Sequence, residues 1–285
     1  MPAGSSRVRE FEFTDADFNS LRQLAREVAG ISLADCKREL IYSRLSRRLR
    51  HHGLTTFADY RQMLASHEGQ GELREFTNAV TTNLTAFFRE RHHFDYLRDS
   101  LLKPRAADPQ ASRRIRIWCA AVSTGEEAWS AAMTVAEAIP DWQRWDIRIL
   151  GTDLDTNVLR TAETGAYAPE RLRQFAPGQA ERHFIRQGNG AEVRYQVRPE
   201  LARMVTFRQL NLTQPLPMRG PLDAIFCRNV IIYFDKDTQR DLFRRMAPLQ
   251  RPGDLLFLGH SEGLFKVSAD WTLIGKTVYR RSESC

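Results

Sequence analysis

At 285 residues, with 42% hydrophobic and 27% charged, the chain is long enough for two domains with a sizeable core and too apolar to be disordered. No apolar run approaches the roughly 20 residues that span a bilayer. Met1 to Glu12 lacks the hydrophobic region of a signal peptide, so no membrane insertion and a cytoplasmic location are expected. The net charge of +7 favours an acidic partner: nucleic acid, an anionic membrane surface or an acidic protein.

Residues 1–102 read as a helical domain. Thr14 to Asp17 forms a cap signal before Phe18, Leu21, Leu24, Ala25 and Val28, which recur at helical spacing until Gly30. A second helix is expected from about Lys37 to His51, broken by Gly53. Phe57, Tyr60, Met63 and Leu64 mark a third helix. Leu73, Phe76, Ala79 and Val80 mark a fourth, and Phe94, Leu97, Leu101 and Leu102 a fifth. Between the last two lies Thr81 to Glu90, a run of short hydrogen-bonding side chains ending in a Phe pair and Arg89. It fits a site for a polar, charged ligand with a flat ring, but taken by itself it reads first as the start of a helix near Ala86 with Asn83 or Thr85 as cap.

Residues 103–114 carry two prolines and no apolar periodicity, and read as a linker. From residue 115 to 285 the character changes to α/β. Strand patterns at Ile115–Ala120, Ile147–Gly151, Leu222–Cys227 and Leu255–Leu258 alternate with helices at Glu126–Ala138, Asp155–Glu163 and about Asp237–Leu249. That alternation predicts a doubly wound, mainly parallel sheet. Phe184 to Leu210 interrupts it with a hairpin signal around Gly188-Asn189-Gly190, read as a small antiparallel β insert at about 183–210. Trp271 to Arg280 reads as a terminal hairpin. The cysteines, Cys36, Cys119, Cys227 and Cys285, show no Cys-x-x-Cys spacing, and two lie in apolar runs as buried small hydrophobes expected of a reducing compartment.

Ligands of open α/β sheets bind beyond the carboxyl ends of the strands. The first strand runs into Ala-Ala-Val-Ser-Thr-Gly-Glu-Glu, residues 120–127, which is no phosphate-binding loop. Its two acids would repel a pyrophosphate. They suit a ligand's ammonium or sulfonium, or simply a helix dipole. The second strand ends in Asp153 and Asp155. Asp155 is expected to cap the next helix, and Asp153 to read ribose hydroxyls. Arg228 and Asn229 interrupt the apolar run 226–234, and Tyr233 by default is a core aromatic with a satisfied hydroxyl. These ends suggest a nucleoside cofactor without pyrophosphate, best matched by S-adenosylmethionine. His51-His52 and His92-His93 are adjacent pairs whose members do not face each other on a helix, so solvated histidines and no metal are expected.

With these residues in view, Thr-Thr-Asn-Leu-Thr-Ala-Phe-Phe-Arg-Glu (81–90), Ser-Thr-Gly-Glu-Glu (123–127), Thr-Asp-Leu-Asp-Thr (152–156), Phe-Cys-Arg-Asn-Val-Ile-Ile-Tyr-Phe (226–234) and Gly-His-Ser-Glu (259–262) closely resemble the chemotaxis receptor methyltransferases, the CheR family. The resemblance runs from about residue 14 to residue 280. It implies a small all-helical N-terminal domain, a Rossmann-like methyltransferase domain and a three-stranded insert. The implied activity is S-adenosylmethionine-dependent O-methylation of glutamates on bacterial chemoreceptors, with S-adenosylhomocysteine as product. By the same resemblance, Asn83, Thr85, Arg89, Glu127, Asp153, Asn211, Leu212, Arg228 and Asn229 hold the cofactor. Arg89 and Tyr233 line the place of methyl transfer. Lys37, Arg44, Arg47, Arg48 and Arg50 on the second helix meet the acidic methylation region of the receptor. Some family members pair the insert with a pentapeptide at the receptor C-terminus; here its turn is Gln187-Gly188-Asn189-Gly190-Ala191. Ala128-Trp129 stands where a Pro-Tyr is common.

Two rival classes share some of these features. Amino-directed nucleic-acid methyltransferases carry a proline-containing loop that holds the flipped base. The matching strand end, Cys227-Arg228-Asn229-Val230, has no proline, so no nucleic-acid partner is expected. A non-catalytic nucleotide sensor or scaffold is disfavoured by intact Arg89, Asp153 and Tyr233.

Overall fold

The computed structural model describes residues 9–283, so Cys285 and the start of the N-terminal segment lie outside it. The chain divides into two compact units, Met1–Thr82 and Asn83–Cys285. The boundary between them thus falls at residue 82, not at the 102 expected from helical periodicity.

The first unit is helical: α1 (Asp15–Ala29), α2 (Arg38–His52), α3 (Phe57–Ala65) and α4 (Gln70–Val80). Thr14 starts α1 with a reciprocal capping box, its hydroxyl accepting from the Asp17 N–H at 3.1 Å and its own N–H donating to the Asp17 carboxylate at 3.0 Å. Phe18, Leu21, Ile41, Leu45, Leu49, Tyr60 and Phe76 form the core. Inside it sits one acid. The buried Glu72 carboxylate accepts from Arg48 Nε at 2.8 Å and from the Tyr60 hydroxyl at 2.7 Å, with His52 Nε2 at 2.7 Å. Burial alone would raise its pKa, but the Arg48, Tyr60 and His52 donors together hold it below the ordinary range.

That network changes the reading of the basic helix. Arg48 is turned onto Glu72, and Arg44 donates to the carbonyls of Ala79, at 2.9 Å, and of Thr81 at the end of α4. They lie on the packed side of α2, beside Ile41, Leu45 and Leu49, not on a solvated face. Lys37 belongs to a separate 3₁₀ turn, Asp35–Lys37, ahead of α2. Arg47 remains exposed, and Arg50 pairs with Glu10 at the surface.

The second unit opens with an irregular segment, residues 83–91. Next come α5 (His92–Leu97), a π-helical turn (Arg98–Leu102) and α6 (Lys103–Ala107). The expected linker is therefore partly helical. Pro104 is tolerated because it falls in the first turn of α6, and Arg105 pairs with buried Asp223 at 2.7 Å. The remaining elements are β1 (Arg114–Cys119), α7 (Glu126–Ala138), β2 (Asp146–Asp153), α8 (Thr156–Thr164), β3 (Ala166–Tyr167), α9 (Ala180–His183), β4 (Phe184–Gln187), β5 (Arg194–Val197), α10 (Pro199–Ala202), β6 (Val205–Gln209), β7 (Ala224–Cys227), α11 (Lys236–Met246), β8 (Leu255–Leu258), β9 (Trp271–Gly275) and β10 (Val278–Arg281).

The main sheet runs β6-β2-β1-β7-β8-β10-β9, the first five strands parallel and the last two an antiparallel hairpin. Alternation sends Ile115, Ile117, Cys119, Ala224 and Phe226 to one core, and Trp118, Ile225, Cys227 and Leu256 to the other. Both faces are covered, which is why these strands read as continuous apolar runs. The insert is a separate sheet, β3-β5-β4. The sequence range 183–210 missed β3, only two residues long, and absorbed β6, which pairs with β2 from Ile149↔Val205 to Asp153↔Gln209. Among the described residues no helix is long and apolar enough to cross a membrane.

Arg48→Ala should lower the free energy of unfolding by about 2–3 kcal/mol, because buried Glu72 loses its charge partner, while Arg47→Ala should change it by less than about 0.5 kcal/mol. Urea denaturation of both variants beside the unmutated chain checks the contrast.

Candidate functional site

The carboxyl ends of β1, β2 and β7 lie side by side in the sheet, at the point where the strand order reverses. At the end of β2, Asp153 is buried and its two oxygens accept the N–H of Ser123 at 2.8 Å and of Asp155 at 3.0 Å. Burial pushes this carboxyl up to about 6 against those backbone donors. Asp155 caps α8 as expected, accepting from the N–H of Asn157 at 2.8 Å and of Val158 at 3.4 Å.

Asn83 joins this group. Its side-chain amide donates to Asp155 at 2.7 Å, and its carbonyl accepts from the Ser123 hydroxyl at 2.9 Å. The Thr85 carbonyl accepts from Arg171 at 3.0 Å. No helix starts near Ala86, so the cap alternative for Asn83 and Thr85 does not hold; the next helix begins at His92. Nor is the Phe pair a stacking platform. Phe87 is buried edge-on against Tyr167 at 4.9 Å and Phe184 at 5.4 Å, and Phe88 packs on Phe94 at 5.4 Å. The pair anchors the segment that carries Arg89.

The loop after β1 turns at Gly125, with φ of 95°. A Cβ there would come within 2.7 Å of the Ala162 Cβ, so only glycine fits between this loop and α8. The two acids that follow separate in role. Glu126 is buried against Arg171 and accepts the Thr124 hydroxyl at 2.6 Å. Glu127 accepts from Arg228 Nη1 at 2.9 Å through one oxygen, while its other oxygen is buried without a hydrogen-bond partner. Burial pushes Glu127 up to about 7, with Arg228 opposing.

Arg228 is itself buried. It donates to the Arg89 carbonyl and lies 3.5 Å from Glu90. Its Nε is also buried without a partner. The Arg89 side chain folds onto its own loop, donating to the Leu84 carbonyl at 2.9 Å. Asn229 has φ of 56°. Tyr233 ends a 3₁₀ turn, Ile231–Tyr233, and packs partly buried against the core. Asn211 and Leu212 follow β6. The Asn211 carboxamide accepts the Thr213 N–H at 3.0 Å, and Leu212 is buried.

The structure thus gathers Asn83, Asp153 and Asp155 in one group, and Glu127, Arg228 and the Arg89 backbone in another. Sequence reasoning gave no role to Ser123, Glu90, Arg171 or Glu262. Glu90 and Glu262 each closed a quoted motif, which was the available signal.

His93 is not solvated. It is fully buried, with Nε2 at 3.0 Å from the Thr277 hydroxyl, and burial first, then the Arg228 charge, push it down to about 3. Glu90, His92 and His93 place ligand atoms within 4.8 Å of one another. The Arg228 guanidinium, 3.5 Å from Glu90, already supplies positive charge at that spot.

Residues 16–81 match the family described as CheR methyltransferase, all-alpha domain, and residues 83–280 match CheR methyltransferase, SAM binding domain. The chain belongs to the CheR methyltransferase family. It is 46% identical over 272 residues to the chemotaxis protein methyltransferase of Escherichia coli (strain K12), covering 95% of this chain and 92% of that protein. It is 43% identical over 295 residues to that of Salmonella typhimurium (strain LT2), covering 99% and 98%. It is likewise 46% identical to chemotaxis protein methyltransferase 2 of Pseudomonas aeruginosa (strain PAO1), covering 95% of each. The two matched regions meet where the compact units divide. The protein is an S-adenosylmethionine-dependent methyltransferase of chemotaxis, with the Rossmann-like fold and helical N-terminal domain of its family. The donor set suits that cofactor: a buried carboxylate at a strand end, an orphaned Glu127 oxygen, and no glycine-rich cradle for a pyrophosphate.

Gly125→Ala should destabilise the CheR fold by about 2 kcal/mol or more, through the positive φ and the clash with Ala162. Denaturant unfolding checks this, with Gly71→Ala, where a Cβ meets nothing within 4 Å, as the tolerated control.

Proposed function

We propose that the enzyme methylates glutamate side chains of bacterial chemoreceptors in the cytoplasm, forming methyl esters that support adaptation. The observation that carries this reading is a pair of buried acids, Asp153 at the end of β2 and Glu127 in the first turn of α7, the latter with an unsatisfied oxygen beside Arg228. Asp153 reads the ribose hydroxyls. Glu127 takes the cofactor's cationic end. Asn83, Thr85, Asn211, Leu212, Arg228 and Asn229 line the remainder of the cofactor site.

When bound, S-adenosylmethionine supplies a methyl group activated by a positive sulfonium. The accepting glutamate is already ionised near neutral pH, since its reference pKa is about 4.3, so the protein need not supply a general base. What its residues contribute is orientation and a shaped electrostatic site. Arg89 and Tyr233 orient the incoming carboxylate. Arg89 does so partially, because full pairing would blunt the nucleophile.

The receptor meets the first unit through exposed Arg47, with Lys37 and Arg50. Arg44 and Arg48 drop out of this surface because they are engaged inside the unit. A receptor C-terminal peptide that pairs with the insert would add as a strand at one of its edges, β3 or β4.

Incubation with labelled S-adenosylmethionine and either receptor-rich membranes or nucleic acid tests the reaction. Base-labile label is expected on receptor protein, and label on nucleic acid would overturn the reading. In the same assay Arg89→Ala should reduce kcat/KM by about 10²-fold; unchanged cofactor affinity and turnover would remove Arg89 from the site. The raised Glu127 carboxyl has a second consequence. A cationic ligand group favours its ionised form, so binding below about 7 must displace a proton. Cofactor affinity should therefore rise from about pH 6 to about pH 8 and level off above it. Calorimetric titration across that range should show this for the unmutated enzyme and a flatter profile for Glu127→Gln.

A further inference from the structure

We infer that Glu262 is a positioning residue for methyl transfer, its buried carboxylate holding the strained turn Asn229–Tyr233 in its working conformation. The inference rests on the proposed placement of Asn229 and Tyr233 at the site of reaction.

Glu262 lies four residues beyond β8, in the motif Gly259-His260-Ser261-Glu262, and is 8% exposed. One oxygen accepts the N–H of Asn229 and of Gly259, both at 2.7 Å. The other accepts three successive N–H groups, from Val230 at 2.9 Å, Ile231 at 3.0 Å and Ile232 at 3.3 Å. Every hydrogen-bond partner the structure gives this carboxylate is a backbone N–H. Consecutive N–H groups converging on one point form a nest for an anion, and here the anion is the chain's own side chain.

The turn it holds is not one the backbone prefers. Asn229 sits at φ of 56°, a left-handed conformation that a non-glycine residue keeps only when its surroundings over-determine it. The approach is also close. A Cβ on Gly259 would lie 2.4 Å from the side-chain Nδ2 of Asn229, 2.7 Å from the Glu262 carboxylate and 2.9 Å from the Asn229 backbone nitrogen. Glycine at 259 and glutamate at 262 thus form one clamp on the segment between Arg228 and Tyr233.

An amide cannot replace this carboxylate. Both oxygens of Glu262 accept, and glutamine in either orientation would set an NH₂ against backbone N–H donors. Asp223 at the other end of β7 makes a useful contrast. It too is buried, but it pairs with Arg105 at 2.7 Å and Arg251 at 3.3 Å as well as the Arg116 N–H at 2.6 Å, far along the strand from the turn.

The test measures receptor methylation kinetics, S-adenosylhomocysteine affinity and Tm for Glu262→Gln, Glu262→Asp and Asp223→Asn. Glu262→Gln should lower kcat about 10²-fold while the receptor KM stays within about threefold, and Glu262→Asp should recover part of the loss. Asp223→Asn should lower Tm yet leave kcat per folded enzyme unchanged. If Glu262→Gln fails to fold, Gly259→Ala disturbs the same clamp without removing the charge and should show the same kcat loss. A kcat for Glu262→Gln within about threefold of the unmutated enzyme, or a loss that merely tracks Tm as in Asp223→Asn, overturns the inference. An unmutated enzyme that esterifies no receptor would sink the proposed function as well; an active one with an unimpaired Glu262→Gln sinks only this inference.

Discussion

One buried guanidinium organises the site. Arg228 leaves the end of β7 and meets Glu127 at the start of α7, Glu90 at 3.5 Å, and the Arg89 carbonyl. A charge withdrawn from water must be paired where it lies. The end of β7, the first turn of α7 and the segment 83–91 must therefore arrive together or not at all. Arg89 is tied to this cluster by its backbone carbonyl, while its side chain donates to the Leu84 carbonyl. Two carboxylates around one guanidinium also leave an excess of negative potential, and burial answers by pushing Glu127 up to about 7. That is the local polarity a sulfonium cofactor requires.

Backbone strain clusters around the same place. Phe88, Glu90, Ser123 and Asn229 all have positive φ, and none is glycine. For three of them the structure shows a compensating bond at the strained residue's own N–H. The Phe88 N–H donates to the Ser130 hydroxyl at 2.9 Å, that of Ser123 to Asp153, and that of Asn229 to Glu262. Ser130 sits on α7 and Asp153 on β2, and Glu262 follows β8 by four residues. The loops thereby borrow the precision of the sheet, as a site built from strand ends must.

Where a segment buries one continuous apolar run, its pattern could be read directly. The ranges expected for Glu126–Ala138 and Leu255–Leu258 match α7 and β8 to the residue: β8 is apolar and buried throughout, and α7 is buried at every position except Ala136 and Glu137. Three stretches resisted. Residues 103–107 looked like a linker because Pro104 is a breaker everywhere except the first turn, where it sits. β3 has too few residues to show a period. β6 looked like part of the insert because its membership of the main sheet depends on pairing with β2, more than fifty positions earlier in the chain. The basic helix misled for another reason. Arg44 and Arg48 differ from Arg47 only in the face they occupy, and a partner such as Glu72 is invisible until α4 folds against α2.

The sequence by itself determined the alternation of strands and helices, the capping aspartate at 155, the family, and the motifs that carry the chemistry. These follow from local periodicity and from side-chain types that chemistry demands. Tertiary structure alone decided which member of each polar cluster serves which purpose: Glu126 for Arg171 but Glu127 for Arg228, Arg48 for the core but Arg47 for solvent, Glu262 for five backbone donors. The reason is physical. A carboxylate or guanidinium has the same formula wherever it stands, and its role is set by burial and by partners that only the folded chain brings within reach.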